Sequence, residues 1–208
     1  MSSREINLLT GTLCQCNGLK TFLKKDYLIL CDVLCHANPP QKIFDLYLKE
    51  IEEEYHKKII DVEFRAKLTG WHNQIPVIIF EYGSYLYEGS YFYTFVNELI
   101  NRISCYSCVF ASKNRVTDFT IADLWGIEKI LTELKDDDKG GSLLLVNSEK
   151  DKKIFEKIKD EIDYKKIEGD LPYKLNHFAN VPVNKNREKF FKAVEEEKSV
   201  IKSMKKYR

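Results

Sequence analysis

The residues best suited to chemistry in this 208-residue chain are its six cysteines, Cys14, Cys16, Cys31, Cys35, Cys105 and Cys108. Cys105 and Cys108 form a Cys-x-x-Cys pair in "RISCYSCVF", a spacing that clamps a metal, carries a redox disulfide or merely fills space. Two thiolates are half of a four-coordinate site, so the other half must come from the remaining four cysteines. Cys14 falls in "TGTLCQ", where a first strand turns into a helix, and Cys35 in "VLCHA", at the end of a second strand. In an open α/β sheet the carboxyl ends of neighbouring strands line one crevice, and the helix N-termini there attract negative charge. Cys14 and Cys35 are therefore expected on one sheet edge, with the Cys105–Cys108 loop folded over it. Four thiolates suit a 4Fe–4S cluster or a structural zinc, and unligated thiols are a third reading. Two single ligands and one pair fit a cluster held between sheet and loop better than paired zinc knuckles. Cys31, inside an apolar strand, reads as core, and Cys16 as a spare thiol facing away. A thiol–disulfide exchanger using Cys105 and Cys108 is weakened because the pair follows a helix instead of opening one.

The elements that must position these sulfurs can be read from hydrophobic patterning. "INLLTG" predicts a short strand, and "NGLKTFLKKD" a helix with Leu19, Phe22 and Leu23 on one face. "YLILCDVL" is continuously apolar, as a parallel strand covered on both faces tends to be. Asn38 is the expected cap of a helix whose first turn holds Pro39 and Pro40. Its apolar face is Ile43, Phe44, Tyr47, Leu48, Ile51 and Tyr55. Residues 58–67 and 75–83 predict a hairpin. Phe92, Phe95, Val96, Leu99, Ile100 and Ile103 predict a helix leading into the Cys-x-x-Cys loop. "TDFTIADLWG" and "GGSLLLVNS" predict strands, separated by the solvated loop "KDDDKGG". A helix over 149–163 is expected with Ile154, Phe155, Ile158 and Ile162 inside. The expected fold class is α/β, a mixed, partly parallel sheet flanked by helices, with the cysteine-bearing loop over the strand ends. The expected domains are 1–185 and a charged helix over 186–208 with a solvated basic end.

Composition narrows the function classes. Basic and acidic residues nearly cancel, 33 against 32, which removes the electrostatic case for nucleic-acid binding. No segment reads as a signal peptide or approaches the roughly 18 apolar residues of a membrane span. A cytoplasmic location is expected, where reduced thiols read as ligands or core before they read as disulfides. No Ser–His–Asp set and no phosphate-binding glycine loop stands in the sequence, so hydrolase and kinase readings have no support. His56, His72 and His177 are isolated. His36, beside Cys35, is a candidate hydrogen-bond donor to a cluster sulfide.

Taken in order, the motifs resemble the coenzyme F(420) hydrogenase/dehydrogenase beta-subunit family, in its C-terminal domain. "LLTGTLCQCNGLKTFL" is similar to its cysteine motif before the first helix. "CDVLCHANPPQKIFDLYL" is similar to its cysteine-histidine segment, and "VEFRAKLTGW" to its hairpin. "RISCYSCVF", "VTDFTIADLWGI" and "DDDKGGSLLLVNS" continue the same order, from about Ile6 to Phe191. The resemblance implies an iron–sulfur flavoprotein in which Cys14, Cys35, Cys105 and Cys108 ligate a 4Fe–4S cluster and FAD is a second cofactor. Gly11 and Thr12 in the first motif, Arg65 in the hairpin, and Asp123 and Trp125 in "IADLWG" are the candidates to touch a cofactor; no catalytic residue is assigned. The bland readings are that Asp123 caps a helix near Ile127, Trp125 packs, and Arg65 and Trp71 brace a hairpin. Leu13 stands where the family has proline and Ala37 where it has glycine. The family's upstream ferredoxin-like segment is not in this sequence. The expectation is therefore a C-terminal fragment, a remnant, or a half that pairs with a separate N-terminal ferredoxin-like or flavin-binding polypeptide or another redox partner. The rival is a non-catalytic partner-docking module, zinc-bound or metal-free, tied to polysaccharide biosynthesis.

Overall fold

The computed structural model describes residues 7–23, 28–132, 137–176, 178–197 and 199–208. His177 and parts of "INLLTG", "NGLKTFLKKD", "YLILCDVL" and "KDDDKGG" lie outside these residues. The chain divides into two units that alternate along the sequence. One draws on the chain up to Cys35 and on Val109–Ala179, the other on His36–Cys108 and Asn180–Arg208. The first unit opens with strand β1 (Asn7–Thr12), helix α1 (Leu13–Leu23) and strand β2 (Leu28–Val33). The second takes α2 (Gln41–Tyr55), β3 (Ile59–Ala66), β4 (Ile75–Phe80), β5 (Tyr85–Tyr87) and α3 (Ser90–Val96). The chain returns to the first as β6 (Phe119–Asp123), α4 (Ile127–Ile130), β7 (Ser142–Val146), α5 (Glu149–Ile158) and α6 (Leu171–Leu175). It ends in the second as α7 (Arg187–Glu197) and α8 (Val200–Tyr207). The fold is mixed α/β, as the patterning predicts.

In the first unit the sheet order is β1-β2-β6-β7. The first three strands are parallel and β7 runs antiparallel to β6. β2 is central and carries Leu30, Cys31 and Asp32 into the interior, as a strand covered on both faces must. Beside the sheet, Leu124, Leu143 and Phe178 form a small core, with Ile127, Ile130 and Tyr173 packed against it. α1 begins at Leu13, four residues earlier than its apolar pattern suggests, and buries Leu13 and Cys16. Phe22, expected inside, is 84% exposed. α5 stops at Ile158, leaving Ile158 and Ile162 about two-fifths exposed, at 43% and 42%. Its cap is Ser148, whose hydroxyl oxygen accepts the Asp151 N–H.

The second unit packs the β3-β4-β5 antiparallel sheet against helices around one core. α2 puts Ile43, Tyr47 and Ile51 on one buried face at four-residue spacing, with Phe44 and Leu48 alongside. It starts after both prolines: Pro40 at φ −64°, ψ 132° is its extended cap residue, and no side chain caps it. The ring of Pro40 forces Pro39 out of the helical region, so the first turn cannot include the pair. Asn38 instead accepts the Arg102 N–H at 3.1 Å through its carbonyl. α3 is shorter than expected. It ends at Val96, and Glu98 takes the left-handed φ of 61°. Leu99 and Ile100 are still fully buried, so the apolar spacing marked burial beyond the helix itself.

The C-terminal segment is two helices of this core, not one charged helix. α8 has its own cap at Ser199, whose hydroxyl accepts the Lys202 N–H at 3.2 Å and donates to Glu50 at 2.5 Å. The Glu50 carboxylate also accepts the N–H groups of Val200 and Ile201, at 2.7 and 3.2 Å. A carboxylate at a helix N-terminus satisfies donors that have no partner within the helix and suits the dipole. Ser203 and Met204 are fully buried in the stretch expected to be a solvated end, while Lys205, Lys206 and Arg208 stay exposed. Among the described residues no helix is long and apolar enough to cross a membrane.

Candidate functional site

The parallel register fixes where the first two sulfurs leave the sheet. Thr12 pairs with Val33 and Val33 with Ile121, so β1, β2 and β6 end on one edge. Cys14 follows Thr12 by two residues and Cys35 follows Val33 by two, and both are exposed. The turn before Cys14 is closed by the Gln15 side chain reaching back to Thr12. Gln15 Oε1 accepts the Thr12 N–H at 2.9 Å and the Thr12 hydroxyl at 3.0 Å. The same hydroxyl lies 3.1 Å from Cys14 Sγ. At Gly11 a Cβ would sit 3.2 Å from Gln15 Oε1, so the residue type keeps this turn tight.

Cys16 and Cys31 behave differently. Cys16 is fully buried and Cys31 is 8% exposed. Burial first, then the nearby Asp32 carboxylate, pushes both thiols above their ordinary value. Cys31 is core, as expected. Cys16, expected as a spare thiol pointing away from the ligand cysteines, is buried with Leu13 on the inward face of α1, while Cys14 is exposed.

The Cys-x-x-Cys pair belongs to the second unit. A single 3-10 turn spans Ile103–Cys105, closed by Cys105 N–H to Arg102 O at 2.9 Å. The Cys108 N–H donates to Asn180 Oδ1 at 2.9 Å, and both cysteines are half-buried. Upstream, Glu98 is a hub. Its carboxylate meets His36 Nε2 at 3.0 Å and accepts from the Asn101 amide, and its carbonyl accepts the Tyr106 hydroxyl. Arg187 donates to Asn101 O at 3.0 Å and stacks over Phe191, centroid distance 4.4 Å. Burial raises the Tyr106 phenol, opposed by Arg187. These bonds replace the helix that apolar spacing alone predicted. The Nε2 of His36 is engaged by Glu98 and by Phe95 O at 3.3 Å.

The remaining candidates separate by unit. Gly11, Thr12, Asp123 and Trp125 lie in the first and Arg65 in the second. Asp123 ends β6 opposite Ser142. It does not cap the next helix, whose cap residue is Gly126 at φ 72°, where a Cβ would meet Leu175 Cδ1 at 2.7 Å. Trp125 is 42% exposed, and its backbone N–H donates to Asn176 Oδ1 at 3.4 Å. Arg65 Nε donates to Gln74 Oε1 at 2.5 Å beside the buried Trp71, bracing the hairpin turn. His56 is the left-handed C-cap of α2, and His72 stands edge-on to Trp71.

The feature that motif reading passed over is a buried polar network on β2. Asp32 and Arg115 form an ion pair at 0% and 3% side-chain exposure. Asp32 also accepts the hydroxyls of Thr117 and Thr120, the latter at 2.7 Å. Asn147 donates to the two threonine oxygens at 3.3 and 3.1 Å. An aspartate inside "LILCDV" was the available signal, since an acid in a buried strand demands partners.

The six cysteines, all among the described residues, form no disulfide. Among those residues no group of three or more His, Cys, Asp and Glu side chains is gathered to hold a metal. Cys14 and Cys35 belong to the first unit and Cys105 and Cys108 to the second. Cys14, Cys35, Cys105 and Cys108 have solvent access, while Cys16 and Cys31 are core.

Comparison with known proteins places the chain in a redox family. The family defined by the C terminus of the coenzyme F420 hydrogenase/dehydrogenase beta subunit matches residues 6–170, and the chain belongs to it. Among solved structures, one similar chain comes from the F420-reducing [NiFe] hydrogenase complex of Methanosarcina barkeri, studied after xenon derivatization. The two are 13% identical with a TM-score of 0.43, over 91% of this chain and 60% of that one. This chain thus spans less than two thirds of that relative's length. No curated protein matches.

Proposed function

We propose that the chain is an electron-transfer component of a hydrogenase- or dehydrogenase-type oxidoreductase, with Cys14, Cys35, Cys105 and Cys108 holding a 4Fe–4S cluster. The observation that carries this reading is the split among the six cysteines: the four motif cysteines are accessible, and two of them leave adjacent parallel strands at one edge. Family membership makes a redox role the natural use of such thiols. When bound, the cluster supplies one-electron chemistry. The chain's own part is to surrender four thiol protons on binding and to hold the sulfurs in place. The Thr12 hydroxyl lies 3.1 Å from Cys14 Sγ and donates to Gln15 Oε1; turned to the thiolate instead, its proton would supply a hydrogen bond of the kind that tunes cluster potential. Gly11, Thr12, Asp123 and Trp125, at the ends of parallel strands, are the residues we assign to a flavin edge, with Arg65 as a further contact. The electron donor or acceptor is a redox partner protein or a separate ferredoxin-like or flavin-binding polypeptide, working in a reducing, cytoplasmic compartment.

Anaerobic reconstitution tests this. Protein carrying about four iron and four sulfide per chain, with broad absorption near roughly 400 nm, is the expected result. Cys105→Ser and Cys108→Ser should each abolish sulfide retention. Zinc without sulfide would overturn the cluster and favour the docking module. A colourless protein whose melting is indifferent to both substitutions would leave an empty scaffold.

A further inference from the structure

The buried pair Asp32–Arg115 does more than join two charges. Arg115 NH2 goes to Asp32, while its NH1 donates to the carbonyls of Phe110 at 3.4 Å and Ser112 at 3.2 Å. Phe110 is two residues past Cys108, and Asp32 is three residues before Cys35 in β2. One guanidinium therefore ties Phe110 and Ser112, which follow the Cys-x-x-Cys pair in sequence, to the strand that leads to Cys35; Asp32, Phe110, Ser112 and Arg115 all lie in the first unit. The pair is held in this orientation from several sides. Asp32 Oδ1 takes two threonine hydroxyls, Asn147 bonds both threonines, and the guanidinium lies 5.8 Å from the Phe178 ring centroid.

Stability is a poor explanation for such a pair. Desolvating two charges largely offsets their attraction, and well-packed apolar residues do as well or better. What an apolar pair could not do is fix two backbone carbonyls in direction. Arginine's planar fork does so, and lysine's single ammonium would serve only one partner at a time.

We propose that Asp32 and Arg115 are positioning residues: within the first unit they hold the segment at Phe110 and Ser112, which follows the Cys-x-x-Cys pair in sequence, against β2, the strand that leads to Cys35. The consequence for a cluster rests on the function proposed above; the tether itself does not. Arg115→Lys is the discriminating variant, because it keeps a cation for Asp32 and loses the bonds to Phe110 and Ser112. In metal-free, full-length protein, hydrogen exchange over residues 108–113 should accelerate while the urea midpoint stays unchanged. In reconstituted protein the same variant should lose iron to a ferrous chelator roughly 10–100-fold faster, as for other residues that orient metal ligands, with a shifted midpoint potential.

Unchanged local exchange would overturn the tether. So would faster exchange that merely tracks a lowered urea midpoint, which marks an ordinary structural pair. Faster local exchange with unaltered iron loss and potential would overturn the role in positioning ligands. If the wild type takes up neither iron nor sulfide, the proposed function fails, and exchange together with the alkylation rate of Cys108 still decides the tether. Should Arg115→Lys not fold, the charge-free double variant Asp32→Asn with Arg115→Met carries the same comparison without an unpaired buried charge.

Discussion

Burial sets the reactivity of the cysteines one residue at a time. A thiol must ionise before it attacks, and burial raises that cost at Cys16 and Cys31. Cys14 and Cys35 stand exposed at a strand edge, and Cys105 and Cys108 are half-buried. Iodoacetamide near pH 8 should therefore modify Cys14 and Cys35 first, the loop pair next, and Cys16 and Cys31 only on unfolding. Peptide mass spectrometry over a time course reads that order, and early labelling of Cys16 would contradict the inward face of α1. The four motif cysteines and the core role of Cys31 were legible in the sequence, because residue type, spacing and an apolar strand carry that information locally. Cys16 was legible as a spare thiol but not as core, since the apolar pattern of α1 showed no inward face at positions 13 and 16. Arg115 was equally silent: its partner is 83 residues away, and nothing local distinguishes it from a solvated arginine.

At the scale of elements, helix ends are where local pattern and structure part. β2, the β3–β4 hairpin and β7 fall where their residues predict, because strand pattern and turn residues sit in the same few positions. α3 ends early because Glu98 finds partners in His36, Asn101 and Tyr106, all supplied by the fold. α5 begins with a similar device. Its third residue, Asp151, is 1% exposed and bonded by the Ser148 hydroxyl at 2.5 Å. Burial foremost, and the neighbouring Asp118 carboxylate, raise the Asp151 carboxyl above its ordinary value. For a raised acid the native state holds the proton more tightly than the unfolded chain. Its stabilising contribution is therefore complete below about pH 4, the unfolded value, and is lost as pH rises through the higher folded one. Asp151→Asn cannot ionise and should gain on the wild type across that window, then level off towards neutrality. Urea midpoints of both proteins from about pH 4 to 8 check this, and a constant difference would contradict it.

For the whole molecule, the second unit closes its core with the last residues of the chain. Phe190, Val200, Ile201 and Met204 are buried with Ile43, Tyr47, Ile51, Ile78 and Phe80. At about 1.5–3 kcal/mol per large apolar side chain, those four alone represent roughly 6–12 kcal/mol of burial, comparable to a domain's whole stability. A chain ending at residue 186 should lose the cooperative unfolding of this unit, read as lost near-ultraviolet circular dichroism and lost amide protection in β3 and β4. Deleting a solvated tail would leave both intact. The amino-acid sequence by itself determined the α/β class, the parallel placement of β1 and β2 and the family, because each depends on short-range periodicity or motif spacing. Tertiary structure alone decided the division into interleaved units, the burial of the C-terminal helices and the Asp32–Arg115 tether. These depend on partners far apart in the chain, and a buried charge or a helix end is settled by whichever distant group satisfies it.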